Sequence, residues 1–498
     1  MPAGPAGAPS ADADDVGSPS HWTIVRQVLL ASAGNFLEWY DFACFGMFAQ
    51  ELGWAFFPSS NATTALLSAF ALFAGAFVVR PIGGVLFGHI GDRHGREQAL
   101  QLSIVVMTGC TLTIGLLPTF ETLGVTSTVL LVLCRLVQGL AAGGELPSAL
   151  VYAVESAGPR HMGFFGALVQ ATGSGSLLAS VVRAVLHATI GDDGIASWGW
   201  RVPFLLGAGF AALISCLRRG MRATPAFLQS KRDQSEAPSQ QTAKRETLCL
   251  ALVENIRRDG AAILRIMCAS SLGMVGFYLL FVWAPTFLRE ERGFELSAEF
   301  NILAMITWGV AVCAFGALAD RTGSLVRIVL TGSVAVGLLA PLAFFLVDHL
   351  PAGACTPLLL LLTVCHAAYV GPVQAWFVLS LRRVHSRNAG LGLAYNLCAA
   401  LLAGTTPLIA HALSGTPLGA TGSGSYLSLA ALLSGMTVLL AERHVPIMAS
   451  VNATSVIGEG TSRSDAPEHH PEASSSTRAH NDAASSPRAG PVETEMVL

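Results

Sequence analysis

The stretch Gly88-His89-Ile90-Gly91-Asp92-Arg93-His94-Gly95-Arg96 returns, in part, as Gly316-Ala317-Leu318-Ala319-Asp320-Arg321-Thr322-Gly323-Ser324. Gly88, Asp92, Arg93 and Gly95 match Gly316, Asp320, Arg321 and Gly323 at one common offset, so the two copies are in register. Each copy lies between two apolar runs. A polar turn repeated at matching places marks a chain built from two equivalent halves.

Outward from these turns, apolar runs of helical length recur near 23–50, 64–90, 98–118, 127–156, 160–188 and 199–218. After a polar break over about 219–261 they resume near 262–288, 298–319, 325–347, 355–380, 388–413 and 423–441. Each run supplies roughly the 20 residues that cross a hydrocarbon core of about 30 Å. Composition agrees: 52% of the 498 residues are hydrophobic and 12% charged, with a mean hydropathy of +0.57. Soluble domains are about a quarter charged, so a soluble enzyme is excluded. So is a secreted disulfide scaffold, because the ten cysteines are scattered, mostly inside apolar runs.

The expected fold is therefore an all-α polytopic membrane protein of twelve transmembrane helices in two six-helix halves. Residues 22–218 form the first bundle, 219–261 a central loop and 262–441 the second bundle. Residues 1–21 and 442–498 read as disordered tails, since their Ser, Ala, Pro, Glu and His cannot bury a core. The central loop is basic. If it faces the cytoplasm, so do the loops with Arg93 and Arg96, Arg160, Arg321 and Arg327, and Arg382, Arg383 and Arg387. The opposite loops carry Glu121, Asp192, Asp193 and Asp348. Both termini are then cytoplasmic, in a monomer of a plasma or bacterial inner membrane. Trp54, Trp198 and Trp200 fall at outer ends, where interfacial indoles belong.

The repeated turn carries chemistry. Its glycines let helix ends approach closely. Its Asp suits a helix N-terminus or an Arg of the other half. Such a contact holds in one rocking state and breaks in the other. Gly88, Asp92, Arg93, Gly95 and Arg96, with Gly316, Asp320, Arg321 and Gly323, are candidates for a conformational latch. The plainer alternative is a tight turn whose arginines fix topology, but topology alone needs neither Gly nor Asp.

A charge near the bilayer centre costs at least about 2.5–3.5 kcal/mol. Glu38 and Asp41 stand i, i+3 on one face of the first span. Two close carboxylates favour a shared proton, which suits proton coupling; capping or pairing with a neighbouring Arg is the alternative. Arg135, Gln138, Ala142 and Glu145 form a polar stripe on the fourth span, and Glu145 is either a further proton site or a partner of Arg80 or Arg135. Arg80, near mid-depth, offers a permanent planar charge for a substrate carboxylate, or pairs with Glu38, Asp41 or Glu145. Arg183 and Arg201 are further cationic candidates nearer the outside; Arg201, in an aromatic cluster, also reads as an anchor. The second half is nearly uncharged within its spans. Its Tyr278, Trp283, Gln374 and Asn396, with Gln138 of the first half, are candidates for hydrogen bonding to substrate. His366 reads as a packing residue. The sequence holds no metal-ligand cluster, nucleotide loop or nucleophile–base pattern. No enzyme activity, cofactor, metal or nucleic-acid partner is implied. The partners expected are the lipid bilayer, protons and a small metabolite.

The duplicated turn resembles that of the major facilitator superfamily. Gly34-Asn35-Phe36-Leu37-Glu38-Trp39-Tyr40-Asp41-Phe42 is similar to the signature of its metabolite:H⁺ symporter family. Arg80-Pro81-Ile82-Gly83-Gly84, Arg135-Leu136-Val137-Gln138-Gly139, Gly143-Gly144-Glu145 and Trp198-Gly199-Trp200-Arg201-Val202-Pro203-Phe204 extend the likeness over about residues 22–440. The resemblance implies a twelve-helix fold and proton-coupled uptake of dicarboxylates or tricarboxylates, α-ketoglutarate, shikimate, proline or betaine. Two departures fall on the second half. Ser380-Leu381-Arg382-Arg383 replaces the family's Glu-Leu-Phe-Pro, with Arg387 kept, and Ser324 stands where a basic residue is usual. The function expected is secondary active transport: proton-coupled symport of a small polar metabolite by alternating access, with a carboxylate favoured by the arginines. A nutrient sensor that binds without net flux and a uniporter are the alternatives.

Overall fold

The structure, a computed structural model, describes residues 21–57, 62–236 and 248–444. The two expected tails lie almost wholly outside these residues. All regular elements among the described residues are helical. An apolar environment leaves backbone groups no partner but each other, so long apolar runs resolve into helices. We label the principal ones α1 (His21–Met47), α2 (Ala49–Phe56), α3 (Ala62–His94), α4 (Arg96–Leu116), α5 (Val125–Ala157), α6 (Met162–Gly199) and α7 (Arg201–Arg218). They continue as α8 (Pro225–Glu236), α9 (Ile256–Glu290), α10 (Ser297–Thr322), α11 (Leu325–His349), α12 (Gly353–Ser380), α13 (Arg387–Ser414) and α14 (Ala420–Arg443).

Ten of these, α4 to α7 and α9 to α14, are long and apolar enough to cross a membrane. The protein is an integral, multi-pass membrane protein. Helices α1 and α3 are also long, at 27 and 33 residues, but are not among the ten. Two boundaries differ from expectation. The central loop contains α8, and the helix leading into α9 starts at Leu248 rather than near 262. Trp54 and Trp198 are half-exposed, but Trp200 is fully buried, edge-on to Phe56 with centroids 5.4 Å apart. A ring that size is shielded there by α2, so Trp200 is a core residue and not an interface anchor.

The first half packs α3 and α4 on α5, and α6 and α7 on α1; the second packs α11 on α12 and α14, and α9 on α13 and α14. Small residues set these distances. A Cβ on Gly139 or Gly143 would collide with the backbone carbonyls of Ala76 or Arg80, and one on Gly83 with that of Leu140. The α3–α5 seam is therefore backbone against backbone. The halves meet through α3 with α13 and α6 with α10, two contacts in matching positions. Each has its glycine: Gly88 lies against Ala389, and Gly316 against the Gly163 carbonyl.

Candidate functional site

The two aspartates of the candidate latch reach across to the opposite half. Asp92, at the end of α3, accepts the N–H groups of Asn388 (3.0 Å) and Ala389 (2.9 Å) in the first turn of α13. Asp320, at the end of α10, accepts those of Gly163 (2.8 Å) and Phe164 (2.7 Å) in the first turn of α6. Those N–H groups have no intrahelical acceptor, and the helix dipole adds to their pull on a carboxylate. Gly95 (φ 119°) and Gly323 (φ 58°) close the two turns in backbone conformations that disfavour side chains. Arg93 and Arg321 are exposed and contribute charge rather than packing.

The first copy is reinforced by Arg96, which is fully buried. It donates to the carbonyls of Gly91 (3.0 Å) and Val384 (2.5 Å) and pairs with Glu155 (3.2 Å) and Asp92 (3.5 Å). Glu155 also binds Arg387 at 3.0 Å and accepts from Thr224 at 2.6 Å. The sequence reading missed Glu155. A lone carboxylate near the end of a 33-residue apolar helix was the available signal. The departure at 380–383 does not open this end: Arg387 is retained, and Arg96 needs only the main chain of Val384. The second copy has Ser324 in place of Arg96, and its hydroxyl turns back to the Thr322 carbonyl.

Deeper in the first half, α1 presents its two carboxylates in different surroundings. Asp41 pairs with Arg135 at 2.9 Å and accepts from Thr111 (2.9 Å) and from Gln138, 3.2 Å from each oxygen. Glu38 has one partner, Arg80, at 2.7 Å, and its Oε2 is buried without a hydrogen bond. The Arg80 guanidinium lies 4.5 Å from the ring centres of both Phe42 and Phe77. Tyr278 of the second half packs against that aromatic pair. Three of the candidates, Glu38, Arg80 and Tyr278, thus converge where the halves face each other.

Glu145 is held elsewhere. Its partner is Arg218 at 2.5 Å, not Arg80 or Arg135, and it also accepts from Ser103. Arg218 donates to the carbonyls of Leu30, Ala31 and Leu100 as well, tying α1, α4, α5 and α7 together. Arg218, the last residue of the expected first bundle, lies fully buried in the last turn of α7. Arg183 donates to the Met47 carbonyl (2.8 Å) and to Glu51 (3.2 Å), bracing α6 against α2. Arg201 donates to the Leu117 carbonyl (3.1 Å) and lies over Trp200. Neither joins Arg80. Asn396 donates to the Gly143 and Gly392 carbonyls and so braces α13 against α5. The Trp283 Nε1 and Gln374 Oε1 atoms are buried without partners. His366 accepts from Trp308 and faces the Leu272 carbonyl, each at 3.2 Å, a satisfied packing residue.

The arrangement can bind a carboxylate at Arg80, hold a proton at Glu38 and tie one end of the two halves together. A family model described as Major Facilitator Superfamily matches residues 31–407. The chain is 30% identical to the proline/betaine transporter of Escherichia coli over 390 residues, 77% of each chain. It is 32% identical to the citrate-proton symporter of Salmonella typhi over 393 residues, 78% of this chain and 86% of that one. Among solved structures, the proton:xylose symporter XylE bound to 6-bromo-6-deoxy-D-glucose superposes with a TM-score of 0.65 at 19% identity, covering 85% of this chain and 95% of that chain.

Proposed function

The chain belongs to the Major Facilitator Superfamily, a family of transporters and not of enzymes, and from that premise we propose that it is a proton-coupled symporter of a small carboxylate. In this reading α1 and α3 join the ten apolar helices to give twelve spans. The basic central loop lies in the cytoplasm with both termini, and the protein works as a monomer. The latch then closes the cytoplasmic end, so that substrate enters from outside.

The observation that carries the reading is the Arg80–Glu38 pair, with one Glu38 oxygen unpartnered and Tyr278 of the other half against the arginine's aromatic cradle. A substrate carboxylate competes with Glu38 for the guanidinium. Once displaced, Glu38 is a buried carboxylate without a cation, which is costly unless it takes a proton. Its free Oε2 accepts that proton without breaking a hydrogen bond. Protonating Asp41 would instead disturb Arg135, Gln138 and Thr111 together, so Asp41 is the fixed charge and Glu38 the carrier. Binding of substrate and of proton are thereby linked, which is what symport requires. The relatives support the class, because one moves proline or betaine and another moves citrate with protons.

The test is uptake of radiolabelled organic acids and zwitterions into proteoliposomes with an acid exterior. Accumulation that a protonophore abolishes supports symport. Accumulation that is indifferent to the protonophore indicates a uniporter, and saturable binding without accumulation indicates a sensor.

A further inference from the structure

The chain leaving α7 turns at Thr224 into α8. Thr224 precedes Pro225, the first residue of α8, and its hydroxyl accepts the N–H of Phe227 at 3.3 Å. A Thr followed by Pro at the first helical position is an N-cap, and it fixes where α8 starts. The same hydroxyl donates to Glu155 at 2.6 Å. The Phe227 ring lies 5.3 Å from the Arg96 guanidinium. Thr224 and Phe227 are both buried. The Tyr152 hydroxyl donates to the Arg222 carbonyl at 2.9 Å, a further tie to α5 of the first half. We propose that the start of α8 is a strap that presets Glu155 and Arg96 for the second half, with Thr224 as a positioning residue for the transport cycle. The proposal rests on the two halves parting at this end, as in the reading above, and not on the solute carried.

Glu155 serves arginines from different halves. Its Oε1 accepts from Arg387 of the second half at 3.0 Å and from Arg96 at 3.2 Å. Its Oε2 lies 3.2 Å from Arg96 Nε and takes the Thr224 hydroxyl. When the halves part, Arg387 leaves with the second half. So does the Val384 carbonyl, to which Arg96 donates at 2.5 Å. The strap stays, because Tyr152 and Glu155 of α5 hold it. A carboxylate freed of Arg387 on a flexible side chain would turn away, and closing would have to fix it again at an entropic cost. The Thr224 bond keeps Glu155 aimed at the place Arg387 returns to. The Phe227 ring likewise holds the flat Arg96 guanidinium in one orientation. Without the strap the open state gains this freedom and the closed state does not, so the strap favours the closed state.

The experiment is hydrogen exchange read by mass spectrometry on the purified full-length protein, without substrate. Thr224→Val keeps the branched side chain and removes the hydroxyl; Thr224→Ser keeps the hydroxyl. The reporters are the Asn388 and Ala389 amides, which donate to Asp92 while the halves are together. Thr224→Val is expected to speed exchange over residues 387–392 about threefold to tenfold, the cost of fixing one side chain on closing. Thr224→Ser should restore the wild-type rate. Phe227→Leu, which keeps bulk but loses the ring, should act in the same direction as Thr224→Val. A change confined to residues 222–236, with the reporters unmoved, overturns the proposal, as does equal acceleration by Val and Ser.

Transport gives a second, directional readout in vesicles of both orientations. A strap that favours the closed state lowers the population open at this end. Thr224→Val should therefore lower KM on the side that this contact closes and raise it on the opposite side. KM moving the same way on both sides overturns the proposal. Hydrogen exchange needs no gradient, so accelerated reporters without proton-driven accumulation would leave the strap standing and overturn symport. Unmoved reporters with proton-driven accumulation would overturn the strap and leave symport standing.

Discussion

Asp92 and Asp320 perform one operation from opposite halves: each carboxylate spans two successive backbone N–H groups in the first turn of the other half's helix, at 2.7–3.0 Å. The two are not equal. Asp92 is buried and backed by Arg96, Glu155 and Arg387. Asp320 is only partly buried, with Ser324 where Arg96 would be.

Asp92→Asn should therefore reduce initial uptake more than Asp320→Asn at matched expression. Asn keeps one acceptor oxygen but loses the charge, and a charge-assisted hydrogen bond contributes about 1.5–3 kcal/mol. At the first copy the loss also leaves Arg96 a carboxylate short. A reduction of tenfold or more is expected for Asp92→Asn and a few-fold for Asp320→Asn. Equal losses would show that Arg96 adds nothing to the first copy.

The contact between the halves was legible because it is written twice. A repeat in register, with Gly and Asp that topology does not require, pointed to a contact between halves, and the fold followed from the same symmetry and the apolar runs. The partners were not legible. Arg80 and Arg135 were the expected partners of Glu145, yet its cation is Arg218, the last residue of the first bundle. Pairing inside a bundle depends on how helices rotate about their axes, and backbone contact at Gly83, Gly139 and Gly143 fixes that rotation. Glu155 was passed over for a related reason. A single polar residue in a long apolar run has no periodicity to mark which neighbour it faces.

Arg218 and Glu145 should behave as a structural clamp. Removing one partner of a buried ion pair typically costs about 3–5 kcal/mol, and Arg218 also satisfies three carbonyls. Arg218→Ala is expected to lower the melting temperature in detergent sharply. Glu145→Gln, which retains an acceptor for Arg218, should be milder and should still accumulate substrate under a proton gradient. Loss of gradient-driven accumulation in a Glu145→Gln protein of normal stability would return Glu145 to the proton pathway.

The carboxylates of α1 should separate in assay. Glu38→Gln is expected to abolish pH-driven accumulation while retaining substrate exchange, because the amide cannot carry a proton between sides. Asp41→Asn should impair both accumulation and stability, since Arg135 then lies buried without its anion. Counterflow and gradient-driven uptake, measured on the same proteoliposomes, distinguish the two patterns. Normal accumulation by Glu38→Gln would remove it as the carrier.

Arg80 is the remaining test, and its pairing with Glu38 sharpens it. Lys at this position keeps the charge but replaces a planar fork with a single ammonium. If the guanidinium only neutralises Glu38, through its one 2.7 Å contact, an ammonium should largely substitute and substrate affinity should hardly move. If the guanidinium takes the substrate carboxylate through two N–H groups, Arg80→Lys loses one charge-assisted hydrogen bond of about 1.5–3 kcal/mol, or roughly tenfold to over a hundredfold in affinity. The flanking rings of Phe42 and Phe77 favour the second outcome, because they suit a flat cation and hold it in one orientation. Binding isotherms for the best organic acid on wild type and Arg80→Lys, at one pH and salt concentration and with surface expression matched, decide between them. An unchanged dissociation constant would remove Arg80 from the binding site and make Arg135, whose Nε and Nη2 are buried without a partner, the next cation to test.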